Sequence, residues 1–306
     1  MTDSATHAPP AITSSAAYPP FGITDVLLFT MAVIWGINFV VTKYATTIFS
    51  PVAFTGLRVG TAAVFLLVVA LTSGGIALPR RDVIGLLLCG MVGNGLYQLF
   101  FVHGLSRTRA GNAALIVAAA PAFIALIARA RGLERVKRLT LVGIALSMVG
   151  VGLVIAGSAS SSNGKTTLLG SLLVFCGVLC WSVYTIMLQP YTKRIDVIRL
   201  SAVTMAGGAV PLLIASMPAL VGTNWSTVGR GGWLALFYSS VISMGVAYFF
   251  WYRGLRVLGP TRTAVYANLQ PIIALLVAWA FLGEIPTIFQ GVGAATIVAG
   301  VFLTRT

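Results

Sequence analysis

Acidic side chains are scarce. Asp and Glu together number 6 in 306 residues, histidine 2 and cysteine 3, and all charged types reach only 8%. Ordinary soluble domains carry roughly 25% charged residues, so this chain lacks the means to build a hydrated surface. An intramembrane enzyme such as a lipid-modifying transferase needs clustered His, Asp, Glu or Cys, and with His7 and His103 as the only histidines no such cluster assembles. Cys89, Cys176 and Cys180 fall inside apolar runs and read as reduced core residues. Cys176 and Cys180 share a helix face, but two thiols without imidazole or carboxylate partners make a poor metal site, so no metal and no cofactor is expected. Residues 1–21 hold no Lys or Arg and no continuous apolar core, so a signal peptide is not expected there. Pro9, Pro10, Pro19 and Pro20 oppose regular structure there, and a disordered tail is expected.

What is abundant is apolar length. Hydrophobic residues make up 58% of the chain, and a helix needs ~20 of them to cross ~30 Å of hydrocarbon. Ten such runs occur, at about 23–43, 51–72, 82–103, 108–128, 139–157, 168–190, 198–221, 232–253, 261–282 and 286–304. Breakers or charges such as Ser50-Pro51, Arg80-Arg81-Asp82 and Lys193-Arg194 separate them. The expected fold is therefore an all-α, multi-pass membrane protein in contact with the lipid bilayer. A net charge of +14 would point to nucleic acid in a soluble chain. Here the basic residues cluster between apolar runs, so they read as orientation signals and no nucleic-acid partner is expected. With a cytoplasmic N-terminus, fourteen basic residues fall inside and five (Lys43, Arg107, Arg109, Lys165, Arg230) outside, leaving Arg58 within a span. That bias puts both termini in the cytoplasm of a plasma membrane.

The chain also repeats itself. A shift of 150 positions places Gly104-Leu105 on Gly254-Leu255, Pro121 on Pro271, Glu134 on Glu284, Gly143 on Gly293 and Gly150-Val151 on Gly300-Val301. A shift of 146 places Trp35 on Trp181. The halves divide as 23–157 and 168–304, joined by an external linker at 158–167. Five spans per half is an odd number, so the second half lies inverted, the arrangement that underlies alternating access in many transporters.

Particular residues carry a family likeness. Trp35-Gly36-Ile37-Asn38-Phe39 opens the first span, and Pro51 with Leu57-Arg58 begins the second. Pro260-Thr261-Arg262-Thr263-Ala264, Asn268-Leu269-Gln270-Pro271-Ile272-Ile273-Ala274, Phe281-Leu282-Gly283-Glu284 and Gln290-Gly291-Val292-Gly293 follow late in the chain. Together these resemble the EamA repeats of drug/metabolite transporter permeases over nearly all of residues 23–304. The first repeat is more divergent, with Arg131-Gly132-Leu133-Glu134 in place of the later Phe-Leu-Gly-Glu. The resemblance implies ten helices and movement of a small-molecule substrate, often an amino acid and usually outward. A more distant branch of that superfamily carries phosphorylated sugars. Such cargo calls for several Lys or Arg in the cavity, where only Arg58 is available.

Polar side chains at bilayer depth face a bundle interior or a cavity. Trp35, Asn38 and Thr42 share one helical face, as do Asn94, Tyr97, Gln98 and Phe101, and Ser240, Ser243, Tyr248 and Trp251. Trp181 and Tyr184 extend the pattern into the sixth span, and Tyr266, Asn268 and Gln270 into the ninth. These faces are expected to line a mostly apolar cavity suited to hydrophobic or aromatic amino acids. Interhelical hydrogen bonding and aromatic belts place the same residue types without any ligand. Arg58 attracts a substrate carboxylate, snorkels to the interface or bonds to backbone carbonyls. Pro121 and Pro271 withdraw the helical partners of the Val117 and Ala267 carbonyls, making either a hinge or a static kink. Without a carboxylate or histidine relay inside a span, facilitated movement or exchange is the simpler energetics. The Gly56 to Gly60 spacing allows close helix approach, and a monomer or weak dimer is expected.

Overall fold

The computed structural model describes residues 22–131, 138–159, 164–258, 263, 266–267 and 269–303. Its helices are α1 (Ile23–Ile48), α2 (Pro51–Thr72), α3 (Arg80–Arg107) and α4, in two pieces, Ala110–Val117 and Ala120–Ala130. They continue as α5 (Arg138–Ala159), α6 (Gly164–Thr192), α7 (Val197–Val221), α8 (Arg230–Val257), α9 (Gln270–Leu282) and α10 (Ile288–Leu303). Among the described residues there is no strand. α1, α2, α3, α4, α6, α7 and α8 contain stretches long and apolar enough to cross a membrane, and α5, α9 and α10 contain shorter apolar ones. This is the ten-helix bundle that the hydropathy predicts. Val64, Leu71, Ile214, Val221 and Phe281 are all more than 60% exposed, an outer surface suited to lipid and not to water.

Local chemistry sets the helix ends. The Ser50 hydroxyl accepts from Ala53 N at 3.3 Å, with Pro51 in the first turn of α2. The Asp196 carboxylate accepts from the N–H groups of Ile198 and Arg199 at the start of α7. Thr287 and Gln290 exchange side-chain bonds with each other's backbone before α10, forming a capping box. Gly283 closes α9 at φ 65°, a left-handed conformation that favours glycine. α1 runs five residues beyond the expected span. Lys43 is therefore inside a helix, not in a loop, and its ammonium donates to the carbonyls of Leu105, Ser106 and Thr108, which the end of α3 leaves unpaired.

The helix pairing has an internal symmetry. α2 packs on α7 and α5 on α10, each against its own repeat mate. The α3–α6 contact is answered by α8–α1, α1–α9 by α6–α4, and α3–α7 by α8–α2. A pairing list that maps onto itself when the halves are exchanged is the signature of a two-fold axis between them. At α5–α10, Gly150 meets the Gly293 carbonyl and Gly300 meets the Gly143 carbonyl, so the two glycine pairs matched by the 150-residue shift contact each other crosswise, each glycine facing the other pair's mate. Gly56 and Gly60 pack against Ser216 and Leu213 of α7, so that spacing is used within the bundle.

Two irregularities escaped the sequence reading. Met91–Leu96 of α3 and Tyr238–Val246 of α8 are π-helical, and the 150-residue shift superposes them. Each wide turn displaces the following face, with Gly93, Asn94 and Gly95 buried in the first and Ser239, Ser240, Ser243, Met244 and Gly245 in the second.

At one end of the bundle Arg194 donates from both terminal nitrogens to the two Asp82 oxygens, each at 2.8 Å. Arg194 is 52% exposed at its side chain, so the pair is largely screened. Asp82→Asn is expected to cost about 1 kcal/mol. Thermal unfolding in detergent at low and high salt checks this, with the difference shrinking as salt rises.

Candidate functional site

Where the halves meet, α1, α2, α3, α4, α6, α8 and the start of α9 enclose a hollow of about 790 Å³ between its walls, including space open to the surroundings. Its wall is dominated by aromatic rings. The Trp35 ring lies 6.2 Å from Trp181, 5.7 Å from Tyr248 and 5.6 Å from Trp251. Tyr97 lies 5.1 Å from Trp181 and 5.6 Å from Phe101. Such rings supply large apolar contact area with defined edges and faces. Trp35 is held by its indole N–H, which donates to the Ser243 carbonyl at 3.0 Å, within the π-helical stretch of α8.

The symmetry axis passes through this hollow. Gln98 Nε2 donates to the Tyr248 hydroxyl at 3.3 Å, and these two residues are mates at the 150-residue shift. Trp35 and Trp181, mates at 146, are also in ring contact. Equivalent residues touch one another only near the axis that relates them. The second amide atom of Gln98, Oε1, is buried and has no hydrogen-bond partner.

Arg58 reaches the hollow from α2 and is 2% exposed. Its Nη1 donates to Thr42 Oγ1 at 3.1 Å and its Nε to Met244 Sδ at 3.3 Å. The guanidinium carbon lies 5.8 Å from each of the Phe54 and Phe101 ring centroids. The side chain turns inward, so snorkelling to the interface is not what this geometry shows.

Of the residues singled out by their helix faces, Trp35, Asn38, Arg58, Tyr97, Gln98, Phe101, Trp181, Ser243, Tyr248, Trp251 and Gln270 line the hollow. Others stand behind the wall. Thr42 is fully buried and bonds to Asn38, Ser239 and Arg58. Asn94 sits in the π-helical turn of α3 with neither end of its amide partnered. Tyr184 packs on Trp181 and bonds through its hydroxyl to Tyr252. Tyr266 donates to Asp25 at 2.6 Å. Asn268 lies outside the described residues.

Pro121 lines the hollow and Pro271 does not. Each occupies the first turn of a helical piece, after a break at Ala118–Ala119 and at Leu269 respectively. Val117 and Ala267, whose carbonyls lose their proline-side partners, both reach the cavity wall. Sequence reading missed Phe39, Ala118, Ala120, Ile124, Val178 and Met244 as lining residues. They are apolar and flagged by nothing but position, each within a turn of a residue already found.

One end of the bundle beyond the hollow is stitched across the repeats. The left-handed Gly283 turns the chain so that the Glu284 carboxylate accepts from Ala110 N at 3.1 Å and Gly111 N at 3.4 Å, at the start of α4. Arg109 approaches the same carboxylate at 3.9 Å, and Gln290 donates to Asn112 Oδ1 at 2.8 Å.

A bundle of lipid-crossing helices in two related halves, hollow on the axis between them, is the build of a transporter of small molecules. Comparison with known proteins makes this specific. The sequence profile described as the EamA-like transporter family matches twice, over residues 22–156 and 168–306, and the chain belongs to that family. It is 28% identical over 280 residues to the uncharacterized transporter YyaM of Bacillus subtilis, covering 90% of this chain and 91% of that one. It is 26% identical over 281 residues to the uncharacterized inner membrane transporter YedA of Escherichia coli, covering 90% and 88%. One solved crystal structure shares the fold with a TM-score of 0.63 at 17% identity, covering 92% of this chain and 95% of the other.

Proposed function

We propose that the protein exports small amphipathic metabolites from the cell, hydrophobic and aromatic amino acids among them, by alternating access through the cavity on its two-fold axis. The observation that carries this reading is an aromatic-walled hollow at the junction of two inverted repeats, the one place equally reachable from either side when the halves exchange conformations. Trp35, Tyr97, Trp181, Tyr248 and Trp251 hold the apolar body, and Asn38, Gln98, Ser243 and Gln270 supply polar contacts. The helix breaks at Pro121 and Pro271 and the paired π-helical turns act as hinges. The excess of basic residues at one set of loops supports cytoplasmic termini in the inner membrane. Asp25, Asp82, Asp196 and Glu284 are all engaged at helix ends, away from the hollow, which supports downhill movement or exchange over proton coupling.

The test is uptake and counterflow in liposomes with a panel of amino acids and sugar phosphates. Gln98→Ala is expected to slow transport about 10-fold or more at unchanged membrane yield, the size of one lost specific contact. Normal rates in this variant and in Trp251→Ala exclude the cavity as the route.

A further inference from the structure

Among the described residues Arg58 is the one ionised side chain on the wall of the hollow, and no carboxylate answers its charge. A guanidinium carries five N–H donors. The structure gives two of them partners, a threonine hydroxyl and a thioether sulfur, both uncharged. The remaining contacts are aromatic faces, which attract the cation without neutralising it. The described acids are committed elsewhere. Asp25 bonds to Gly22 N and Tyr266, Asp82 to Arg194, Asp196 caps α7, and Glu284 caps α4. The repeat does not supply a second cation either. At the 146-residue shift Arg58 corresponds to Thr204, whose hydroxyl turns back to the Leu200 carbonyl at 2.8 Å. Among the described residues the cavity therefore carries a single positive charge, placed in one repeat only.

A buried cation with spare donors and no counter-charge is an anion site awaiting its anion. We infer that Arg58 makes a carboxylate the obligatory feature of the cargo, and that the preferred cargo is an aromatic monocarboxylate without a second charge. This inference rests on the cavity being the transport site. A monoanion beside Arg58 leaves the filled cavity neutral, with the ring against Trp35, Trp181 and Trp251. A zwitterionic amino acid adds an ammonium that finds dipoles and π-faces, Gln98 Oε1 among them, but no carboxylate. It is held, one rank lower. An amine with the same ring brings two positive charges into one hollow and is rejected.

Four compounds sharing one phenyl ring separate these cases: phenylpropionate, phenylalanine, phenylpropanol and phenethylamine. Dissociation constants are measured on the detergent-purified full chain at neutral pH. Phenylpropionate is expected to bind tightest, phenylalanine about 10-fold weaker, and the alcohol and amine on the order of 100-fold weaker or beyond. Arg58→Gln is expected to bring the acid down to the level of the alcohol, and Arg58→Lys to keep the order of the series. The ranking is read on the unaltered protein, so a variant that fails to fold leaves the test intact. An amine or alcohol that matches the acid overturns the role given to Arg58 and leaves the cavity reading standing. Phenylalanine binding tighter than phenylpropionate overturns the preference for a single charge. Absence of binding by all four compounds overturns both.

Discussion

Trp35→Ala is expected to lower the initial transport rate on the order of 100-fold, about 3 kcal/mol, with the protein still recoverable from the membrane. The reason is the number of walls this one ring supports. It touches Trp181, Tyr248 and Trp251, and its N–H fixes the Ser243 carbonyl inside the π-helical stretch of α8. Truncation removes contact area for the solute and a tie between α1 of one repeat and α8 of the other. The ring is only half-buried, so part of its apolar area is already uncovered in the folded protein and the stability loss falls at the lower end for a tryptophan. Trp35→Phe separates the two effects. It keeps a ring and loses the donor, and about a 10-fold loss is expected, the worth of one partly buried hydrogen bond. Rates normalised to reconstituted protein measure both variants. Parental rates in Trp35→Ala refute the central place given to this ring.

Gly208→Val is expected to leave no monodisperse protein. A Cβ on Gly208 would lie 2.6 Å from Gly95 N and closer still to the Asn94 carbonyl carbon, both backbone atoms of α3. Gly207 meets the Leu87 backbone and Gly90 meets the Thr204 backbone along the same contact. α3 and α7 therefore touch main chain to main chain, and no flexible side-chain tip is there to give way. Relief requires the helices to separate, which opens the π-helical turn holding Asn94 and loosens the wall carrying Tyr97 and Gln98. A cost above about 3 kcal/mol is expected, from overpacking without room for repacking. Gly229→Ala is the control. A Cβ there meets nothing within 4 Å, and a change within about 0.5 kcal/mol is expected. Size-exclusion profiles of the two variants in one detergent read the difference. A sharp peak for Gly208→Val contradicts the close approach.

The membrane class was legible in the sequence because hydrocarbon imposes one requirement on every residue of a span, and a run of apolar side chains either meets it or does not. The repeat was legible for a related reason. Gly143, Gly150, Gly293 and Gly300 sit where helices must approach closely, and small residues are hard to replace there. Much of the cavity wall was marked by its cost in lipid: a tryptophan, an amide or a guanidinium at bilayer depth stands out against leucine and valine. Phe39, Ile124, Val178 and Met244 carry no such mark, because an apolar wall residue and an apolar lipid-facing residue are the same in composition. Thr42 and Tyr184 carry the mark and stand one layer back, since polarity reports an interior position and not the depth of that position. The π-helical turns had no signal at all, being decided by a difference of one residue per turn that packing selects.

Composition and periodicity by themselves determined that this chain lives in lipid, crosses it in ten helices and does so as two inverted halves. These follow from local solvation and from counting. The tertiary structure decided which symmetry mates meet, that Trp35 faces Trp181 and Gln98 faces Tyr248, and that the two-fold axis runs through a hollow. It also decided that the Arg58 charge turns into that hollow with none of the described acids beside it. Such facts depend on distances between residues some 150 positions apart, and helix spacing along one segment does not contain them.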